Sequence, residues 1–232
     1  MKLIWINYKI WVLEWMMDAG KNLDTSTRIL NAAELLFIEH GFDGTSMRQI
    51  TGAAEVNIAA VNYYFGSKDG LFQAVFERRA EPFVRLSLSK LSELEASGQA
   101  NNPTEIVQSF LSAALEMGSN PEFGGLIFVR LLARSYVEPH AVLKEKIPQR
   151  YGELTRRYQA ALERALPNLS GSEVAWRFHF MTSAIFNAFA GNHVLRLFTE
   201  QPMVNARDPQ RVAQMLLPFI SAGLTSPAAA QN

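Results

Sequence analysis

Residues 58–68, IAAVNYYFGSK, bring an asparagine, two tyrosines, a serine and a lysine together with no acid among them. An asparagine amide can bridge N6 and N7 of adenine, alanine methyls fit against thymine methyls, and tyrosine hydroxyls reach phosphate oxygens. Read alone, the same residues also suit the surface helix of an ordinary bundle. A second group with chemical potential lies in residues 122–137, EFGGLIFVRLLARSYV, where Arg130 and Arg134 share a helix face at i, i+4 amid apolar neighbours including Phe128. An apolar cavity with one or two cations suits an acyl chain ending in a carboxylate, or an acyl thioester bearing phosphates. Solvated arginines, or arginines paired with acids such as Glu138, fit the same spacing.

Catalytic chemistry is thinly represented. There is no cysteine, and no GxSxG, HExxH, GxGxxG or phosphate-loop pattern occurs. His179 and His193 would stand about 21 Å apart along a helix, too far to share a metal ion. The chain is therefore expected to be no enzyme and to need no cofactor, with no catalytic and no metal site.

Composition sets the frame for these groups. The 232 residues are 48% hydrophobic and 19% charged, as in an ordinary globular protein, and the absence of cysteine suits a reducing cytoplasm. Formal net charge is zero, which counts against nucleic acid as a partner, because phosphate binding usually leaves a basic footprint. The first seventeen residues are apolar, yet Lys2, Lys9 and Glu14 interrupt them short of the ~20 residues that a membrane span needs. Membrane is accordingly not an expected partner. Met16 and Met17 precede the polar, helix-starting sequence, so residues 1–24 read as an N-terminal extension with a mis-assigned start.

Beyond residue 24, apolar residues recur at three and four, and no stretch alternates with period two. The spacing predicts an all-α chain of about nine helices, broken near 41–45, 66–67, 96–103, 118–121, 138–139, 167–172 and 199–209. Ile29, Ala32, Ala33, Leu36 and Phe37 mark the buried face of the first helix, which Gly41 ends. Ser46 and Gln49 form a capping box for a second helix whose Met47, Ile50 and Ala54 face inward. Val56 plugs the following angle, and Asn57 caps a third helix. On a wheel centred on Val61, Ile58 and Phe65 fall on the inner side, within about 60°, while Ala59 and Tyr63 lie outward, flanked by Ala60 and Asn62. Two short helices joined this closely form a helix-turn-helix.

TSMRQI at 45–50, Val56, and NYYFGSK at 62–68 leading into Leu71 resemble the DNA-binding segment of the TetR family of transcriptional repressors, over roughly residues 27–79. The resemblance implies a second helix, residues 57–65, lying in the major groove of a double-stranded operator. It places Thr45, Tyr64 and Lys68 where phosphates are usually bound, and Arg48 where a base or a nearby phosphate is reached. With Ser46, Asn57, Ala59, Ala60, Asn62 and Tyr63, these are the candidate DNA-binding residues. Two departures stand out: Glu55 occupies the turn position where the family has glycine, and Asn62 a position more often tyrosine.

The remaining chain, by the same resemblance, is a ligand-binding and dimerisation domain joined to the reader by a long helix that starts near Lys68 and contains Pro82. The expected organisation is a helix-turn-helix domain at 25–67, a ligand-binding and dimerisation domain at 68–225 and a flexible tail at 226–232. Residues 122–137 and the AWRFHF at 175–180 are also similar to a TetR subgroup that senses long-chain fatty acids or their CoA esters. Candidate ligand-binding residues are Phe110, Phe128, Arg130, Arg134, Phe178 and Phe186. Residues 173–198 are apolar on most of their circumference, which predicts burial; with residues 208–224 they would form half of a four-helix bundle across a two-fold axis. Thr182, Phe189, His193, Leu216 and Phe219 are the candidate dimerisation residues. The expected function is a DNA-binding regulator, acting as a homodimer on a palindromic operator and released by a small hydrophobic, acyl-type effector. A helical lipid-binding protein with the same fold and no DNA function is the alternative.

Overall fold

The computed structural model describes residues 24–120, 141–189 and 208–228, which hold eight α-helices and no strand. The chain divides into two compact units, residues 1–75 and 76–232. The segments at 122–137 and 190–198, the break at 138–139 and the amino-terminal stretch 1–23 lie outside the described residues.

In the first unit, α1 (Thr25–His40), α2 (Met47–Ala54) and α3 (Ile58–Phe65) pack pairwise against one another. The opening turns of α4 (Lys68–Ala96) belong to the same unit. Asp24 starts α1 by accepting the Thr27 amide proton at 3.0 Å. The hydroxyls of Ser26 and Thr27 also donate to it, at 2.6 and 2.9 Å. These bonds stabilise the carboxylate and hold its pKa down at about 2, the Ser26 hydroxyl contributing most. Gly41 ends α1 with φ 76°, its N–H donating to the Phe37 carbonyl at 2.9 Å. Ile29, Ala32, Ala33 and Phe37 are buried as their spacing requires, whereas Leu36 and Met47 are half-buried. Ile50, Val61, Leu71 and Val75 close this core. Phe72 meets Phe37 and Phe42 edge-on, at 5.0 and 5.1 Å between ring centroids. Such contacts contribute about 0.5–1.5 kcal/mol each beyond area burial.

In the second unit, α4 continues through Pro82 to Ala96. It is followed by α5 (Pro103–Ser119), α6 (Ala141–Ala165), α7 (Gly171–Phe189) and α8 (Pro209–Thr225). Asn102 and Asp208 cap α5 and α8, each followed by a proline that needs no amide partner. α5 lies at the centre and packs on α6, α7 and α8. Its Ile106, Val107, Ala113, Ala114 and Met117 are fully buried. Within one chain α7 buries Val174, Phe178, Met181, Ile185 and Phe186 and leaves Trp176 and Phe180 exposed, on a side that the other described helices do not cover.

Candidate nucleic-acid interface

The α2–α3 corner is built by short-range hydrogen bonds. The Ser46 hydroxyl oxygen accepts the Gln49 amide proton at 3.2 Å, and Gln49 Oε1 accepts the Ser46 amide proton at 2.7 Å. At the other end of α2 the Val56 amide donates to the Thr51 carbonyl at 3.1 Å and the Glu55 amide to Gly52 at 3.4 Å. This is the paired closure of a Schellman motif, whose penultimate position usually holds glycine. Here Glu55 takes the left-handed conformation itself, at φ 53° and ψ 49°. The unusual turn residue is thus accommodated by taking up the left-handed conformation that glycine would adopt freely. Asn57 then caps α3, its Oδ1 accepting the Ala60 amide proton at 2.9 Å.

The outward face of α3 carries no charge. Ala59, Asn62, Tyr63 and Tyr64 are exposed, Tyr63 by 83%, and Ala60 is half-buried. The two tyrosine rings meet edge-on at 5.0 Å. Arg48 and Ser46 are exposed on α2 and at its cap. Lys68 sits with its Nζ 4.2 Å from the centre of the Phe42 ring. That cation–π contact is worth about 0.5–1 kcal/mol and limits where the ammonium can point.

Two expectations change. Thr45 is only 1% exposed, and its hydroxyl donates to the Gly41 and Leu36 carbonyls at 2.7 and 3.0 Å. Its single proton is committed to closing α1, so the side chain is not free for phosphate. Ile58, placed inward by the wheel, is 52% exposed. It is the first residue of a two-turn helix, whereas Val61, one turn on, is fully buried. Sequence reasoning left Ile58 and Phe42 out of the interface; the Asn57 cap was the signal for Ile58, since the first residue after a recognition-helix cap lies nearest a groove.

In the second unit, Phe110, Phe178 and Phe186 do come together. Phe110 meets Phe178 at 6.2 Å and Phe186 at 6.0 Å, and Phe83 joins at 5.4 Å from Phe110. Tyr158 stands edge-on to Phe110 at 5.1 Å, donates to the Ser87 carbonyl at 3.0 Å and lies 3.1 Å from Ser109 Oγ. Burial pushes its phenol well above the ordinary tyrosine range. Phe83 and Tyr158 carried no sequence signal beyond apolar spacing. Phe128, Arg130, Arg134 and His193 lie outside the described residues.

The candidate dimerisation residues separate. Thr182 and Phe189 are 3% exposed, and the Thr182 hydroxyl donates to the Phe178 and His179 carbonyls at 3.1 and 3.0 Å. Both side chains belong to this protomer's own core. Leu216 is half-buried and Phe219 is exposed. Trp176, Phe180, Met215 and Phe219 form the exposed apolar set on α7 and α8, which pack on each other. Arg177 ties this pair, donating to the Gly223 and Leu224 carbonyls in the last turn of α8 and to those of Ser226 and Pro227 just beyond it, while Glu173 braces it at 2.6 Å. No described helix is long and apolar enough to cross a membrane.

Comparison with known proteins agrees with both halves. Residues 29–75 match the description of bacterial regulatory proteins of the tetR family, and residues 108–223 match the tetracyclin repressor-like C-terminal domain. The chain is 39% identical over 71 residues to the HTH-type transcriptional repressor NicS of Pseudomonas putida, spanning 28% of this chain and 34% of that one. It is 28% identical over 127 residues to the HTH-type transcriptional repressor BepR of Brucella suis, spanning 54% and 58%. The chain thus covers less than two thirds of the length of these relatives. Among solved structures, the hemolysin II transcriptional regulator HlyIIR superposes with a TM-score of 0.56 at 22% identity, over 88% of this chain and 98% of that one. A likeness at that identity establishes the fold.

Proposed function

Because the chain belongs to the TetR family of helix-turn-helix transcriptional regulators, we propose that it acts in the cytoplasm as a homodimer that binds a palindromic double-stranded operator and represses transcription until a small hydrophobic effector releases it. The observation that carries this reading is the exposed, charge-free outer face of α3, set by the Asn57 cap, with Arg48 exposed on the preceding helix α2 and Lys68 opening α4. Asn62 and Tyr63 would meet base edges, while Tyr64, Lys68 and the α2 amino terminus meet phosphate. Zero net charge is compatible with this, since hydroxyls, helix amino termini and a few cations suffice to position a duplex.

The dimer contact we assign to Trp176, Phe180, Met215 and Phe219, with Leu216 behind them; an exposed apolar set on two adjacent helices is a candidate for a shared four-helix interface. Two recognition helices held one duplex turn apart require a two-fold operator. The effector would pack on Phe110, Phe178 and Phe186, and an acyl-type ligand ending in a carboxylate or CoA ester would engage Arg130 and Arg134. α4 has residues in both units and is the element through which effector binding would reach the reader. Release requires tighter effector binding to the DNA-incompetent state, typically by about 1–3 kcal/mol.

Selection of bound duplexes from a random pool with the purified full chain tests this, followed by titration with a long-chain acyl-CoA. Enrichment of a palindrome is expected, with Tyr63→Ala and Lys68→Ala each weakening binding at least several-fold and Lys68→Ala lowering the salt slope by about 0.9 per half-site. Absence of any enriched sequence would refute operator binding and favour a helical hydrophobic-ligand carrier of the same fold. A palindrome insensitive to acyl-CoA would remove the effector alone.

A further inference from the structure

Ile58 is 52% exposed although it is the most apolar residue on its helix. On an α-helix it shares a column with Asn62, and Ala59 shares the next column with Tyr63. All four are exposed. Residues 56–67 contain no charge, in a chain where about a fifth of residues are charged. A helix face meant only for water would carry Lys, Glu or Arg. The face at Ile58 and Ala59 is apolar, flat and stiff, since a β-branched side chain at a helix position is nearly restricted to one rotamer. Ile58 is also the first residue after the Asn57 cap, and the amino-terminal residues of a recognition helix are the ones that reach base edges. In the major groove a side chain without donors or acceptors distinguishes one base, thymine, through its 5-methyl group.

We propose that Ile58 is a specificity-determining residue, reading a thymine methyl in each operator half-site, with Ala59 leaving room for the approach. The inference rests on the operator-binding reading above and adds the identity of a base that it recognises. Polar selection by Asn62 and apolar selection by Ile58 would then operate side by side on neighbouring base pairs.

The test combines a methyl deletion in DNA with one in the protein. The palindrome enriched by the purified full chain is resynthesised with each thymine replaced in turn by uracil, which retains the pairing edge and loses only the methyl group. At one symmetric position the substitution is expected to weaken wild-type binding about four-fold per half-site, or about fifteen-fold with both changed. Ile58→Ala should lose that discrimination and bind the thymine and uracil duplexes with equal affinity. Because Ile58 is exposed, the variant is expected to melt with the wild type, and Ile58→Val, which retains a β-branch, should keep most of the discrimination. A palindrome whose thymine-to-uracil changes weaken Ile58→Ala as much as wild type, or one with no methyl-sensitive position, overturns the inference and leaves operator binding intact. Failure to enrich any palindrome overturns both.

Discussion

Glu55→Gly should make the protein more stable and bind DNA more tightly, and the two gains have separate causes. Glu55 occupies the left-handed position of the turn at φ 53°, where its Cβ crowds the following carbonyl. A non-glycine residue there costs about 1–2 kcal/mol, and glycine returns about 0.5–1 kcal/mol of that through the greater freedom of its unfolded chain. Glu55 is exposed, so its removal forfeits no buried packing. The net gain is about 1 kcal/mol, which in a chain of this size raises the melting temperature by about 2–4 °C. The second gain is electrostatic: a carboxylate about 10 Å from a phosphate is worth about 0.4 kcal/mol in water, or about two-fold in affinity per half-site at low salt. Three variants separate these causes by thermal melting and operator titration. Glu55→Gly should gain in both, Glu55→Gln in affinity alone, and Glu55→Ala should match Glu55→Gln, because alanine keeps the Cβ. A Glu55→Gly protein that melts at or below the wild-type temperature would refute the strain argument, and a Glu55→Gln protein with unchanged affinity at low salt would refute the electrostatic one.

Thr45→Val keeps the volume but leaves the Gly41 and Leu36 carbonyls without their hydroxyl donor. It should cost about 1–2 kcal/mol in denaturant unfolding and leave the folded protein's DNA affinity within about two-fold; lost affinity at unchanged stability would return Thr45 to phosphate. Phe219→Glu puts a charge on the proposed dimer face and should raise the dimer dissociation constant at least about ten-fold by sedimentation; a variant that stays dimeric would move the interface elsewhere. Asp24 has its carboxyl pKa held at about 2 against 3.8. Its capping contribution is therefore complete above the unfolded value and lost as pH falls towards the folded one. The melting advantage of wild type over Asp24→Asn should shrink between about pH 4 and pH 2, and an advantage constant across that window would show that the carboxylate does not act as described.

Much of the reader was legible without coordinates because its determinants are local. The Ser46–Gln49 box, the Asn57 cap and the Gly41 stop each join groups three or four residues apart, so residue type and spacing decide them before any tertiary contact forms. The buried stripe of α1 follows from helical period for the same reason. The all-helical class and the family resemblance were likewise carried by such signals.

What tertiary structure decided is which apolar and polar groups are covered. Thr45 looked like a phosphate ligand until α1 and its Gly41 cap supplied two carbonyls within reach of its hydroxyl. Ile58 looked like core because a wheel gives angle and not position along the axis, and at the first residue of α3 it is left 52% exposed while Val61, one turn on, is fully buried. Thr182 and Phe189 looked as ready for a partner as Phe219, and α7 alone could not distinguish a face covered within the protomer from one left open. The periodicity of a sequence states how many faces of a helix are apolar; only the placement of neighbouring helices determines which of them remains exposed.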